Sequence, residues 1–285
     1  MPLLTPANVS AVVCTMNSIS GIEKCLDSLR SANVGQIVVV DANSTDGTTE
    51  IAQLRADFVL NDPGSGLGAA RNIGIARTLG NLILNMGSDN VMPSGELEKM
   101  IAYLESGRYQ GVSAQTCVVG NGYVAHGLNV WRKGRFSEGE RAVIGTPTLF
   151  VGNLLRNHPY DSERRFSDDS ELCERWSKEF QAKFAISDAT CLEVGKNSWS
   201  EAKIRARMYG VSDNEVFTSG SSQGWGIGRK AKSIAHPLTA DFIMPIQKAD
   251  VGESLKAIPF LGFFTLNRYA AWATSAFKEV RGHGK

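Results

Sequence analysis

The sequence predicts an α/β protein, with a mostly parallel central sheet covered by helices on both faces and a helical extension at the carboxyl end. Three observations lead there. Short β-branched runs such as Val38-Val39-Val40 alternate with segments of helical period through the first 119 residues. Each run is apolar throughout, the pattern of a strand buried on both faces. The stretch from Leu255 to Phe277 gathers Phe260, Leu261, Phe263, Phe264, Tyr269 and Trp272 into a final helical segment. With 285 residues, 42% of them hydrophobic, the chain can bury a core of the size this architecture needs.

Strands are expected at residues 11–13, 37–40, 58–60, 82–84 and 112–119, and helices at 22–29, 48–54, 69–79 and 97–104. A β-α-β alternation implies parallel neighbours and right-handed crossovers, which put every strand-to-helix loop at one edge of the sheet. Those loops begin at Thr15, Asp41, Asp62 and Met86. Beyond residue 119, glycine and aromatic residues intersperse (Gly120, Gly122, Tyr123, Gly127, Trp131, Gly134), and residues 132–141 read as a polar link. Apolar pieces at 148–151 and 184–186 flank a helix from about Ser170 to Phe180, extending the sheet and closing one wall of a cleft. The expected division is into residues 1–120 and 121–235, two halves of one domain, and residues 236–285, a helical, aromatic-rich extension.

Composition excludes several classes. The net charge is +1, and no arginine-rich or zinc-finger pattern occurs, so no nucleic-acid partner is expected. The five cysteines are scattered without C-x-x-C spacing, which fits reduced thiols and a cytoplasmic location. Residues 1–8 carry no basic or apolar signal region, so no secretory leader is expected. From Trp225 onward basic residues outnumber acids by nine to four, with Lys256, Arg268, Lys278 and Arg281 around the aromatic tail. That tail is too interrupted to span a bilayer. Two readings are open: a peripheral membrane contact at the inner face, or a last helix packed on the domain.

Four loops offer chemistry. The run 38–40 enters the turn Asp41-Ala42-Asn43-Ser44-Thr45-Asp46-Gly47-Thr48. Asp41 stands at the carboxyl end of a strand, where open α/β sheets bind ligands, and its carboxylate can accept from a nucleoside. Ser44, Thr45 or Asp46 can cap the following helix. The third loop, residues 61–72, runs Gly64, Gly66 and Gly68 into a helix and can bring backbone amides to a phosphate. Gly64-x-Gly66-x-x-Ala69 also mimics a dinucleotide fingerprint, although the loop after the first strand has no glycine. Asp89, in the fourth loop, can hold a hard divalent cation that keeps its water and takes oxygens from a diphosphate; the alternative is a turn residue. Asp168 and Glu171 have capping-box spacing, and one carboxylate of that acidic segment can instead serve as a general base.

Taken in order, these segments resemble the family 2 glycosyltransferases. The carriers are Thr15-Met16-Asn17, the turn from Asp41 to Thr48, Ala70-Arg71-Asn72-Ile73-Gly74, the triplet Gly87-Ser88-Asp89 at the family's D-x-D position, and Asp168-Asp169-Ser170-Glu171-Leu172. The likeness covers about residues 8 to 190. It implies a GT-A fold with a Rossmann-like sheet and inverting transfer of a sugar from a nucleotide-sugar donor to a glycan or lipid-linked acceptor, in polysaccharide or glycoconjugate biosynthesis. It further implies that Thr15, Asn17, Asp41, Asn43, Gly68, Arg71 and Ser88 contact the nucleotide sugar. Asp89 would hold Mn2+ or Mg2+, Arg71 would help offset the diphosphate charge, and Asp169 would be the catalytic base. One departure stands out: Gly87 replaces the first acid of D-x-D. A non-catalytic sugar-nucleotide-binding protein and a nicotinamide-dependent oxidoreductase are the alternative readings.

Overall fold

The computed structural model describes residues 3–64, 66–164, 167–195 and 197–282. Of the residues read above, Met1, Pro2 and Ser65 lie outside these, as do the side chains of Lys278 and Arg281. After a 3-10 turn at Pro6–Asn8, the chain runs β1 (Val9–Thr15), α1 (Ile22–Ser31), β2 (Gln36–Asp41), α2 (Thr48–Arg55), β3 (Phe58–Asn61), α3 (Leu67–Ile75), β4 (Leu82–Gly87), β5 (Asn90–Val91), α4 (Glu96–Ser106) and β6 (Gly111–Val118). It continues through α5 (Tyr123–Arg135), β7 (Gly139–Arg141), β8 (Thr148–Val151), α6 (Gly152–Asn157), α7 (Asp168–Phe180) and β9 (Phe184–Glu193). Helices α8 (Trp199–Ser222), α9 (Ile227–Leu238), α10 (Met244–Lys248) and α11 (Val251–Gly282) complete it, with a wide π-type turn at Thr239–Ile243 between α9 and α10. Two compact units result: residues 1–117 with 138–195, and residues 118–137 with 196–285.

The first unit is built on one nine-stranded sheet of order β3-β2-β1-β4-β8-β6-β9-β5, with β7 paired to β9. β1 to β4 are mutually parallel, and β8 is antiparallel to both β4 and β6, so β6 runs with the parallel set. β1 and β2 are buried almost throughout, as their unbroken apolar runs require. β8 enters the middle of the sheet, between β4 and β6, rather than extending its edge. Helix α3 stops at Ile75, short of the expected Leu79, because the next backbone groups are taken elsewhere. The Thr78 hydroxyl donates to the Ile75 carbonyl, and Ser10 Oγ accepts from the Gly80 amide at 2.8 Å. Gly74 explains how α3 lies so close to the sheet: a Cβ there would stand 2.5 Å from Val12 Cγ1 and 3.0 Å from Val40 Cγ2.

The second unit is helical. Residues 123–135, which the glycine content left irregular in the sequence, form α5, and the expected polar link begins inside it with buried Arg132. Leu128, Trp131, Phe260, Leu261 and Phe264 are buried together in this unit, so the aromatic tail supplies its core. Helix α8 presents Ala202, Ala206, Gly210 and Asn214, four residues apart, on a buried stripe. A Cβ on Gly210 would lie 2.1 Å from the Arg268 carbonyl oxygen, so the backbones of α8 and α11 nearly touch. Beneath that crossing, Arg268 grips both oxygens of Asp213 at 2.6 and 2.7 Å and donates to fully buried Asp241, which also accepts from Trp131 Nε1 and Arg135. Two cations thus face two anions, the pairing that buried charge requires. No described helix is long and apolar enough to cross a membrane.

Replacing Gly74 by valine should destabilise the first unit by about 1–3 kcal/mol through overpacking against Val12 and Val40, measured as a lowered urea midpoint; an unchanged midpoint would refute the close-packing account.

Candidate active site

The candidate site lies in the strand-bearing unit, where β1, β2 and β4 end at Thr15, Asp41 and Gly87. Asp41 is buried and organises its own turn: Oδ1 accepts from Ser44 Oγ at 2.5 Å, and Oδ2 accepts from the Ser44 amide at 3.1 Å and Thr49 Oγ1 at 2.7 Å. A carboxylate offers about four acceptor positions, so about one remains for a ligand. Asn17, held at φ +47, donates its amide to Ser44 Oγ and accepts the Thr45 amide at 2.9 Å, tying the first loop to the second. Asn43 sits beside it in the same left-handed region, at φ +55. None of the three capping candidates is the cap of α2, which is Gly47 at φ +94; Asp46, one residue earlier, accepts the Thr48 amide with one oxygen and the Ile19 amide with the other. Thr15 Oγ1 is buried with no hydrogen-bond partner among the described residues.

The glycine loop enters α3 at Gly66, whose φ of +113 only glycine adopts readily. Gly68 is covered by the 160–161 segment: a Cβ there would be 3.0 Å from the Asp161 carbonyl oxygen. One turn on, Arg71 is 5% exposed. Its Nη1 donates to Asp168 Oδ2 at 2.6 Å and Asp169 Oδ1 at 2.8 Å, its Nη2 donates to Thr146 Oγ1 at 2.5 Å, and its guanidinium lies 5.1 Å from the centre of the Tyr160 ring. Burial disfavours this cation, while Asp169, Tyr160 and Asp168 hold it charged. The guanidinium is thus bonded to protein carboxylates rather than presented bare to solvent.

Helix α7 begins at Asp168, and the capping-box expectation fails here: the Asp168 carboxylate reaches Arg71, and Glu171 pairs with Arg175 four residues on. Asp169 Oδ1 also accepts from the Tyr160 hydroxyl at 3.2 Å, and that hydroxyl accepts from buried Asn85 Nδ2 at 3.0 Å. Burial pushes the Asp169 carboxyl up to about 6, opposed by Arg71 and reinforced by Asp168. One cation between two carboxylates leaves an uncompensated negative charge, which the raised affinity for a proton relieves. Because the folded carboxyl binds its proton more tightly than the unfolded chain, its contribution to stability is present at pH below 3.8 and lost as pH rises through about 6.

Ser88 is buried, its hydroxyl donating to Ser18 Oγ at 2.9 Å. Asp89 follows it at the edge of the sheet. Gly87 permits this conformation, since a Cβ there would lie 2.8 Å from Asp89 Oδ1 and 2.9 Å from Asn90 Oδ1. Among the described residues no three His, Cys, Asp or Glu side chains gather into a metal cluster. A single carboxylate fits a magnesium-like cation that keeps its waters and draws other oxygens from a substrate diphosphate.

A profile of the family described as Glycosyl transferase family 2 matches residues 10–162. The chain belongs to glycosyl transferase family 2. Its enzyme class is therefore glycosyltransferase, and its fold is of GT-A type. A curated relative, the putative glycosyltransferase EpsH of Bacillus subtilis (strain 168), is 34% identical over 104 residues, 34% of this chain and 30% of that protein. The match thus spans less than a third of the relative's length. Among solved structures, a mannosyltransferase from Pyrobaculum calidifontis in complex with GDP-Man and Mn2+ aligns with a TM-score of 0.64 at 16% identity, covering 96% of this chain and 88% of that one. TarS residues 1–349 of S. aureus, in complex with UDP-GlcNAc, aligns with a TM-score of 0.54 at 15% identity, covering 96% and 92%.

Within the glycosyltransferase, Arg71, Asp168 and Asp169 come together, as do Asn17 and the Asp41 turn. Sequence reasoning missed Tyr160, Thr146 and Asn85, which no motif marks. Tyr160 is 75 residues from Asn85, and Thr146 is 75 from Arg71, so only the folded sheet brings them together. Carboxyl NMR titration of the transferase should find Asp169 near pH 6. Tyr160→Phe, which removes a hydrogen bond favouring the anion, should raise that value, and Asp168→Asn, which removes a like charge, should lower it; shifts of the same sign would contradict the electrostatic account.

Proposed function

We propose that this family 2 glycosyltransferase moves a sugar from a nucleoside-diphosphate sugar to an acceptor hydroxyl with inversion, the acceptor being a glycan or lipid-linked saccharide in polysaccharide or glycoconjugate assembly. The observation that carries this reading is Asp169, a carboxylate on the family's base motif, held by Arg71 and Tyr160, with its proton affinity raised to about pH 6. A general base works best when its pKa lies near the working pH. Asp169 takes the hydroxyl proton as the acceptor oxygen bonds to the anomeric carbon, and the bond from that carbon to the diphosphate oxygen breaks on the opposite face. No covalent sugar-enzyme intermediate is needed. Arg71 acts here through Asp169 and Asp168 as a positioning residue.

The nucleoside falls to Thr15, Asn17, Asp41 and Asn43, and the sugar diphosphate to Gly68 and Ser88. The orphaned Thr15 hydroxyl supports a ligand at this edge. Asp89 would hold Mn2+ or Mg2+, a reading supported by the GDP-Man and Mn2+ complex of the Pyrobaculum neighbour. Such a cation would neutralise charge on the departing diphosphate. Gly87, which removes one acid from the metal motif, favours a second reading: a member that binds the donor without turning it over. Release of nucleoside diphosphate separates the two.

A thermal-shift panel of UDP- and GDP-sugars, with and without Mn2+, tests donor binding. A ligand at a hundredfold its Kd adds about 2.7 kcal/mol to the native state. One nucleotide sugar should raise Tm in a metal-dependent way, and Asp89→Ala should abolish the metal dependence; no shift with any nucleotide would overturn the proposal.

A further inference from the structure

Helix α9 is amphipathic in an unusual sense, because its apolar side faces solvent. Ile227, Ala231, Ile234 and Leu238 fall at i, i+4, i+7 and i+11, one stripe of an α-helix. All four are exposed, Ile227 at 88% and Ile234 and Leu238 at 45% each. The wide turn at Thr239–Ile243 then lengthens the repeat by one residue, so that Ile243, five positions after Leu238 and 37% exposed, continues the same line. From Ile227 to Ile243 the stripe runs roughly 24 Å at the helical rise.

The helix is held to its unit along one flank of the stripe and, at its carboxyl end, by a hydroxyl that reaches the backbone between Ile234 and Leu238. Pro237 is buried and Ser233 half-buried. The Tyr269 hydroxyl of α11 accepts from the Leu238 amide at 3.3 Å and donates to the Ile234 carbonyl at 2.7 Å, bridging two groups that an ordinary helical turn would pair directly. Arg229, Lys230 and Lys232 supply the charge of the helix, Arg229 resting over the Trp225 ring at 4.5 Å. Between Trp225 and Lys248 the sole acid is Asp241, which is fully buried and consumed by Arg135 and Arg268. The exposed charge of this segment is therefore cationic alone.

Scattered surface hydrophobes need no explanation, but a continuous stripe beside uncompensated cations does. Burial of the stripe against a second copy would bring two sets of like charges together. An anionic bilayer compensates them while taking up the isoleucines and leucine. We propose that α9, with the turn that follows it, lies in the interface of an anionic lipid membrane, placing the chain on that surface. This site is distinct from the aromatic tail, whose Phe260, Leu261 and Phe264 are buried in the helical core.

The full chain should co-sediment with vesicles of phosphatidylcholine and phosphatidylglycerol, bind pure phosphatidylcholine weakly, and dissociate from the mixed vesicles at high salt. The combined change Ile227→Ser, Ile234→Ser and Leu238→Ser should abolish binding with unchanged circular dichroism, since these side chains are exposed. Arg229→Gln, Lys230→Gln and Lys232→Gln together should weaken it by on the order of a hundredfold, from roughly fivefold per cation at an anionic surface. The proposal is overturned if the chain ignores anionic vesicles, or if the serine variant binds them as the parent does. Concentration-dependent dimerisation lost in the serine variant, without vesicle binding, would assign the stripe to a second copy instead.

Discussion

The guanidinium of Arg71 is buried between two carboxylates lying 97 and 98 residues further along the chain, and keeping that charge compensated shapes the site. A lone buried cation costs several kcal/mol, so α3 and α7 must bring their groups together for either to be tolerated inside. Thr146 and the Tyr160 ring complete the enclosure. The same arrangement leaves the carboxylate pair with one more charge than the arginine neutralises. Burial raises the proton affinity of Asp169, with the Asp168 charge adding to the rise and Arg71 opposing it. A structural demand and a chemical property therefore share one origin. It also gives Arg71 a role that its motif alone does not reveal, since its reach is directed to the candidate base.

The first unit was legible because its signals are local. Each of the early strands is a continuous apolar run, and each crossover helix carries its own period, so β1 to β4 and α1 to α4 follow from neighbours in sequence, whereas the two-residue β5 carries no such signal. The Asp41 turn was legible for the same reason, its hydrogen bonds closing within eight residues. The insertion of β8 between β4 and β6 was not, because strand order depends on distant pairings that no single segment encodes.

In the helical unit the expected carboxyl-terminal helix is present as α11, whereas α8 escaped sequence reading for a different reason. Helix α8 contains Gly210, Gly220 and several serines, residues of modest or poor helix propensity. Its glycines have contacts that a side chain would obstruct: Gly210 admits the Arg268 carbonyl, and Gly220 lies against the Trp225 ring. Propensity is outweighed there by close packing, and at Gly210 the partner lies more than fifty residues away. The site shows the same division between local and distant signals. Asp169 and Arg71 belong to recognisable motifs, while Tyr160 and Asn85 became part of the site only through the fold.

The claim on which this account turns is that Asp169, poised by Arg71, Asp168 and Tyr160, removes the acceptor proton. The direct measurement is the pH dependence of nucleoside-diphosphate release by the parent and by Asp169→Asn, with the donor identified by binding and a panel of glycan and lipid-linked acceptors. The account predicts an acid limb near pH 6 for the parent and a loss of about 10²–10⁴ in rate for a correctly folded Asp169→Asn. Near-normal turnover by that variant, with the same acid limb, would contradict it.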